Sequence, residues 1–98
     1  MNPTHYFYLA KPPRESFVRD ATAEEHEILG RHFAYMDEVR ASGRLLLTGP
    51  ALDGFGGIAI FKVTTREEAE VLMAQDPAIK AGLFAGTVHP IMLREITP

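Results

Sequence analysis

Thr22 is followed three residues later by Glu25, and Thr65 by Glu68. In that spacing the threonine hydroxyl accepts from the backbone N–H three residues on, while the glutamate reaches back to the threonine N–H. Each pair therefore marks the N-terminus of a helix. Two helix starts at these positions split the 98 residues into three stretches, before, between and after the helices, and the remaining apolar segments must fall into them.

The first stretch holds His5 to Lys11 (HYFYLAK), rich in aromatic residues and stopped by Pro12-Pro13, which reads as a strand. Arg14 to Ala21 reads as a polar, irregular loop. The helix from Thr22 carries Ile28, Leu29, Phe33, Tyr35, Met36 and Val39 at spacings of three and four, and it should stop near Gly43, which tolerates positive φ. Leu45 to Thr48, ended by Gly49-Pro50, and Ile58 to Val63 read as two strands of an antiparallel hairpin joined through Asp53-Gly54-Phe55-Gly56-Gly57. The helix from Thr65 is interrupted at Asp76-Pro77, with one further turn between Ala78 and Leu83. A last strand, Val88 to Ile96, follows, and Pro90 assigns it to an edge or a bulge.

Strand, helix, strand, strand, helix, strand is the split βαβ order of the α+β ferredoxin-like fold, a four-stranded antiparallel sheet with both helices on one face. The expected organisation is one domain over residues 1–98. Helices can cover only one face, yet the strands are apolar on both: Phe7 and Leu9 against Tyr6 and Tyr8, Ile58 and Ile60 against Ala59 and Phe61. The second set is expected to meet the same face of another copy in a two-fold homodimer. The alternative is ordinary scattered exposure of apolar side chains.

Composition removes several functions. Ten basic residues against thirteen acidic ones give a net charge of −3, with no run of Lys and Arg to hold phosphates, so nucleic acid is not an expected partner. The absence of cysteine excludes disulfides, thiolate chemistry and thiolate-held metals. No apolar run approaches the roughly 20 residues of a membrane span, and the first residues lack a basic region followed by an apolar one, so a cytoplasmic protein without a membrane role is expected.

Histidine and carboxylate side chains are the remaining candidates for chemistry. His26, between Glu25 and Glu27, reads as a solvated position, and His5 as a strand residue at the start of the chain. His32 lies within the apolar stripe, four residues from both Ile28 and Met36. Once buried it must find hydrogen-bond partners, either as a structural core histidine or as an acid–base group oriented by a carboxylate. Asp76, before Pro77, either caps the following turn or meets His32, since both helices share a sheet face. His26 and His32 are six apart, unlike the i, i+4 pair of a zinc helix, and no metal site is expected. Gly54, Gly56 and Gly57 lack the following helix and Gly-Lys-Ser/Thr of a phosphate loop.

His32-Phe33-Ala34-Tyr35-Met36, then Gly43 and Leu45-Leu46-Leu47-Thr48-Gly49-Pro50, resemble the central signature of YCII-related proteins, and Asp76 to Leu83 (DPAIKAGL) resembles their second signature. Lys11-Pro12-Pro13-Arg14 and Val88-His89-Pro90-Ile91-Met92 are similar to the ends of a long-loop branch of that family. The resemblance implies a dimeric ferredoxin-like α/β barrel with a His–Asp site, mapped here onto His32 and Asp76. It also implies kinship with a dehydrochlorinase of chlorinated hydroxyquinols and, more loosely, with muconolactone isomerase-like barrels. Met36 departs from the Trp that relatives in this branch often carry, so a pocket wall is expected to be less aromatic.

Two functions remain open. In the first, a cofactor-free enzyme, His32 acts as base and then acid on a small cyclic or aromatic substrate, in an elimination or isomerisation. Asp76 orients it, and Arg14, Tyr35 and His89 form the substrate-binding surroundings. In the second, the chain is a non-catalytic small-ligand-binding or accessory module, and His32 has only a structural hydrogen bond.

Overall fold

The computed structural model describes residues 2–94. Its strands are β1 (His5–Lys11), β2 (Leu45–Pro50), β3 (Gly57–Phe61) and β4 (Ala85–Ile91). Its helices are α1 (Phe17–Asp20), α2 (Ala23–Ala41), α3 (Arg66–Ala74) and α4 (Pro77–Lys80). The strands form one antiparallel sheet in the order β2-β3-β1-β4, the ferredoxin-like arrangement. None of the described helices is long and apolar enough to cross a membrane.

Both helices start at the expected threonines, but the reciprocal box is complete only at Thr22. Thr22 accepts from the Glu25 N–H at 3.1 Å while the Thr22 N–H donates to the Glu25 carboxylate at 2.9 Å. The Thr65 hydroxyl accepts from the Glu68 N–H at 3.3 Å and donates to the Glu68 carboxylate. At the other end of α2, Gly43 takes φ +80°. Its N–H reaches the Arg40 carbonyl and the Arg44 N–H reaches that of Val39, a Schellman closure that lets the chain turn directly into β2.

Alternation along β1 sends Tyr6, Tyr8 and Ala10 to the helix-covered side, where they join Met36, Val39, Phe61, Ala69, Leu72 and Val88 in the core. The register sets Phe7 opposite Ile60 and His89, and Leu9 opposite Ile58 and Thr87, so these residues belong to the opposite face. Edge positions explain both strand prolines. β2 and β4 are the outer strands, so Pro50 and Pro90 can lack an N–H without breaking a ladder on two sides.

Three expectations change. The segment from Arg14 to Ala21 is not merely irregular: it contains α1, and its Phe17 is buried, edge-on to Phe84 at 6.0 Å between ring centroids. β4 begins at Ala85, three residues earlier than expected, because Ala85 and Gly86 pair with Lys11 and Ala10. It ends at Ile91, and the expected end at Ile96 lies outside the described residues. The stripe of α2 is buried only in its second half, at Met36 and Val39, while Phe33 is 56% exposed. The first half of α2 stands off the sheet, and this separation makes room for a cavity.

The strap from Pro12 to Ala21 is pinned in place by Arg14. Its Nη1 and Nη2 donate to the two Glu25 carboxylate oxygens at 2.9 and 2.8 Å, and its Nε donates to Asp20 at 2.9 Å. On the opposite side, Gly54 at φ +86° lies so close to the Glu15 backbone that a Cβ there has no space.

The hydrogen bonds from Arg14, followed by that from the Thr22 N–H, lower the Glu25 carboxyl from its usual value near 4.5 to about 2. A carboxyl with a depressed folded-state pKa stabilises the fold above its unfolded value and loses that contribution as pH falls through the folded one. The contribution of the Arg14–Glu25 pair is therefore complete above pH 4.5 and declines toward pH 2. Urea unfolding of wild type and Arg14→Met across this window should show a shallower acid decline in the variant. Parallel pH profiles would remove the pair from the acid sensitivity of the fold.

Candidate active site

Asp76 is the N-cap of α4, placed by Pro77, which keeps the preceding residue extended (ψ 122°) and occupies the first helical position. Its Oδ1 accepts from the Ala78 N–H at 2.9 Å, so the capping reading of Asp76 is met. The same carboxylate lies against His32 Nδ1, at 2.9 Å from Oδ1 and 2.8 Å from Oδ2. A third donor is the Tyr8 hydroxyl, 2.7 Å from Oδ2. The side chain is fully buried, and its oxygens are enclosed by these three groups.

This enclosure sets the roles. A carboxylate oxygen can only accept from Nδ1, so Nδ1 carries a proton and the lone pair of a neutral His32 ring is on Nε2. Burial, then the charge of Asp76 and its hydrogen bond, push the Tyr8 phenol well above its ordinary pKa, so Tyr8 keeps its proton and donates it. Asp76 itself has no surface to offer a ligand. Its effect passes through His32, whose side chain retains 12% exposure.

His32 reaches a cavity of about 400 Å³ between the first half of α2, the strap and the ends of β2 and β3. Phe84 meets the imidazole edge-on and Phe33 is tilted against it, each at 5.4 Å between centroids. Phe84 in turn carries Phe17 of the strap. The opposite wall is largely backbone, with Gly49, Gly54, Gly56 and Gly57 among its residues, and Met36 forms part of the wall on α2. The arrangement presents one imidazole edge to an apolar space of small-molecule size.

His32 and Asp76 are thus brought together as expected from the sequence, but the three companions assigned to them lie elsewhere. Arg14 is off the cavity wall, with all three guanidinium nitrogens donating to Asp20 and Glu25. Tyr35 turns the other way on α2, and its hydroxyl donates to the Leu72 carbonyl at 2.7 Å, tying α2 to α3. Burial first, then the Asp76 charge, raises its pKa. His89 is on the opposite sheet face, 6.4 Å from the Phe7 ring and hydrogen-bonded with Thr87. Conversely His26, read as a solvated position, is exposed but stands at the cavity rim. Tyr8 was legible only as a strand residue, although a phenol on a covered sheet face must find an acceptor. Among the described residues no three His, Asp or Glu side chains gather as a metal-holding group.

Sheet order, helix placement and the buried carboxylate at the α4 cap define an α+β protein of the ferredoxin-like class. The chain belongs to the YCII-related family, whose domain matches residues 5–90. It is 28% identical over 72 residues to Uncharacterized protein YjpA of Bacillus subtilis (strain 168), covering 74% of this chain and 82% of that protein. In fold it is similar to 5-chloro-2-hydroxyhydroquinone dehydrochlorinase from Burkholderia phenoliruptrix AC1100, solved in complex with 2,5-dihydroxybenzoquinone. The TM-score is 0.67 at 23% identity, over 87% of this chain and 90% of that one.

Removing a hydrogen-bond donor from a buried carboxylate costs roughly 1–3 kcal/mol. Tyr8→Phe should lower the unfolding free energy in urea by that amount. Because Tyr8 and His32 share one acceptor, the double variant with His32→Ala should depart from additivity by at least about 0.5 kcal/mol. Additive single and double losses would show that the three groups do not act as a unit.

Proposed function

We propose that this protein is a small-molecule enzyme in which His32, oriented by Asp76, moves a proton in a cofactor-free elimination or isomerisation of a small cyclic or aromatic substrate. The observation that carries the reading is the imidazole itself. Nδ1 is held by a buried carboxylate, and the ring borders an apolar cavity of about 400 Å³. An acid–base histidine needs this combination, one nitrogen tied down and the other available where a substrate can rest. The similar fold of a dehydrochlorinase with a bound quinone adds support by analogy.

The steps balance without a further reactant. In an elimination, Nε2 takes a proton from a ring carbon or hydroxyl, the released pair forms the new double bond, and the leaving group departs with its own bonding pair. In an isomerisation the imidazolium returns the proton to a different atom. Asp76 remains an acceptor from Nδ1 throughout and balances the charge that appears on the ring when Nε2 is protonated.

With this we infer a homodimer formed through the uncovered sheet face, and we keep the expected cytoplasmic location. Phe7, Leu9 and Ile58 are only half-buried there, and Leu47 is 49% exposed. Dimer formation would cover this apolar set without blocking α2.

Two outcomes are expected. In a screen of phenols, quinols and lactones, a substrate turned over by wild type should be turned over roughly 10²–10⁴-fold more slowly by His32→Ala, with a folded circular dichroism spectrum retained at the assay temperature. Equal turnover by the variant would remove His32 as the acid–base group, and no turnover across the whole panel would leave the binding-module reading. In light scattering, wild type should have twice the chain mass and Phe7→Lys the single mass. A monomeric wild type would remove the dimer.

A further inference from the structure

One oxygen of Asp76 serves two side chains. His32 Nδ1 lies 2.8 Å from Oδ2, and the Tyr8 hydroxyl donates to that same oxygen at 2.7 Å. Packing holds the phenol there. Phe61 stacks on the Tyr8 ring at 5.5 Å between centroids, and Gly86 of β4 comes so near that a Cβ there would lie 2.9 Å from it. Asp76 has no exposure and Tyr8 has 1%, so the phenol's place on Oδ2 is closed to bulk water.

A donor on a carboxylate takes up part of its negative charge, so less is left to hold a proton on a neighbouring imidazole. Burial, followed by the charge of Asp76, keeps the Tyr8 phenol protonated, which makes it a fixed donor. The other ionisable groups around His32 are engaged away from the carboxylate. Tyr35 donates to the Leu72 carbonyl, Arg14 is closed onto Glu25 and Asp20, and His26 is at the exposed cavity rim. Arg31 and Glu38 of α2, with Lys80 of α4, border a separate shallow depression beside Tyr35. Among the described residues the cavity wall includes neither lysine nor arginine.

Resting on the acid–base reading above, we infer that Tyr8 is a positioning residue for the reaction, setting through Asp76 how firmly His32 holds a proton on Nε2. With the phenol in place, part of the carboxylate charge is spent on Tyr8, and the imidazolium can return its proton. Without the phenol, the undivided charge holds the imidazolium more tightly. His32 then enters the cycle already protonated over a wider pH range, and its base form is confined to higher pH. Tyr8 keeps its own proton throughout.

The test follows the His32 Cε1 proton by NMR through a pH titration of the full chain. The protonation midpoint in Tyr8→Phe should lie above that of wild type by at least about half a pH unit, roughly three-fold in the equilibrium. Tyr35→Phe, which removes a hydroxyl bonded to the Leu72 carbonyl instead, should leave the midpoint in place. A ring-fluorinated tyrosine at position 8 keeps the shape, donates more strongly and should lower it. A folded Tyr8→Phe with an unmoved or lowered midpoint would overturn the proposal, as would an equal rise in Tyr35→Phe. If Tyr8→Phe does not fold, an unmoved midpoint with the fluorinated residue overturns it. With a substrate from the screen, the acid limb of kcat/KM should rise with the midpoint in Tyr8→Phe. A limb that stays while the midpoint moves would separate Tyr8 from the reaction and leave the acid–base reading standing. Full turnover by His32→Ala would remove that reading, and the positioning role with it, whatever the titration shows.

Discussion

The structure depends on the buried carboxylate of Asp76. Two segments distant in sequence, Tyr8 of β1 and His32 of α2, converge on its two oxygens together with the Ala78 N–H from the helix it caps. A carboxylate with no exposure is tolerable only when its lone pairs are engaged, and here the donors also crosslink the sheet to two helices. The cap of a four-residue helix thereby fixes the ring plane and tautomer of a histidine forty-four residues earlier. The structural role of Asp76 and the chemical role proposed for it are one arrangement, since the donors that satisfy its burial leave His32 as the member of the cluster that borders the cavity.

Local signals made most of the fold legible. The Thr22 and Thr65 caps act over four residues, the Gly43 closure over six, and both appear where their residue types stand. Alternation assigned the faces of β1, because a period of two leaves Tyr6 and Tyr8 no choice once Phe7 points away. The failures concern contacts between remote segments. α1 exists because Phe17 finds Phe84 across the fold, and nothing within Arg14 to Ala21 announces that partner. The start of β4 is set by its pairing with Lys11 and Ala10, which outweighs the weak strand preference of Ala85 and Gly86.

The site divides along the same line. His32 and Asp76 stood out as candidates because each violates its local setting, an imidazole in an apolar stripe and a carboxylate ahead of a helix-breaking proline, and the family resemblance joined them as a pair. Arg14, Tyr35 and His89 carried no such conflict, and their partners are structural: Glu25 and Asp20, the Leu72 carbonyl, and Thr87. A polar side chain that offends its neighbourhood is a stronger sign of a site than one that merely belongs to a reactive type. Tyr8 satisfies that criterion too, as a phenol on the covered side of a central strand.

The strap connects these levels. Its sequence is the least regular in the chain, yet it lies between α2 and the β2–β3 connection. Arg14 fastens it on one side, and on the other Glu15 packs against a glycine that has no room for a Cβ. Phe17 then presses on Phe84, and Phe84 on the His32 ring. The cavity therefore has a fixed aromatic wall on the side away from the glycines, and the guanidinium that secures it is unavailable to the interior. The ion pair that builds the wall thus also holds the Arg14 guanidinium away from the cavity, so one interaction sets both the position of the strap and the apolar character of that side.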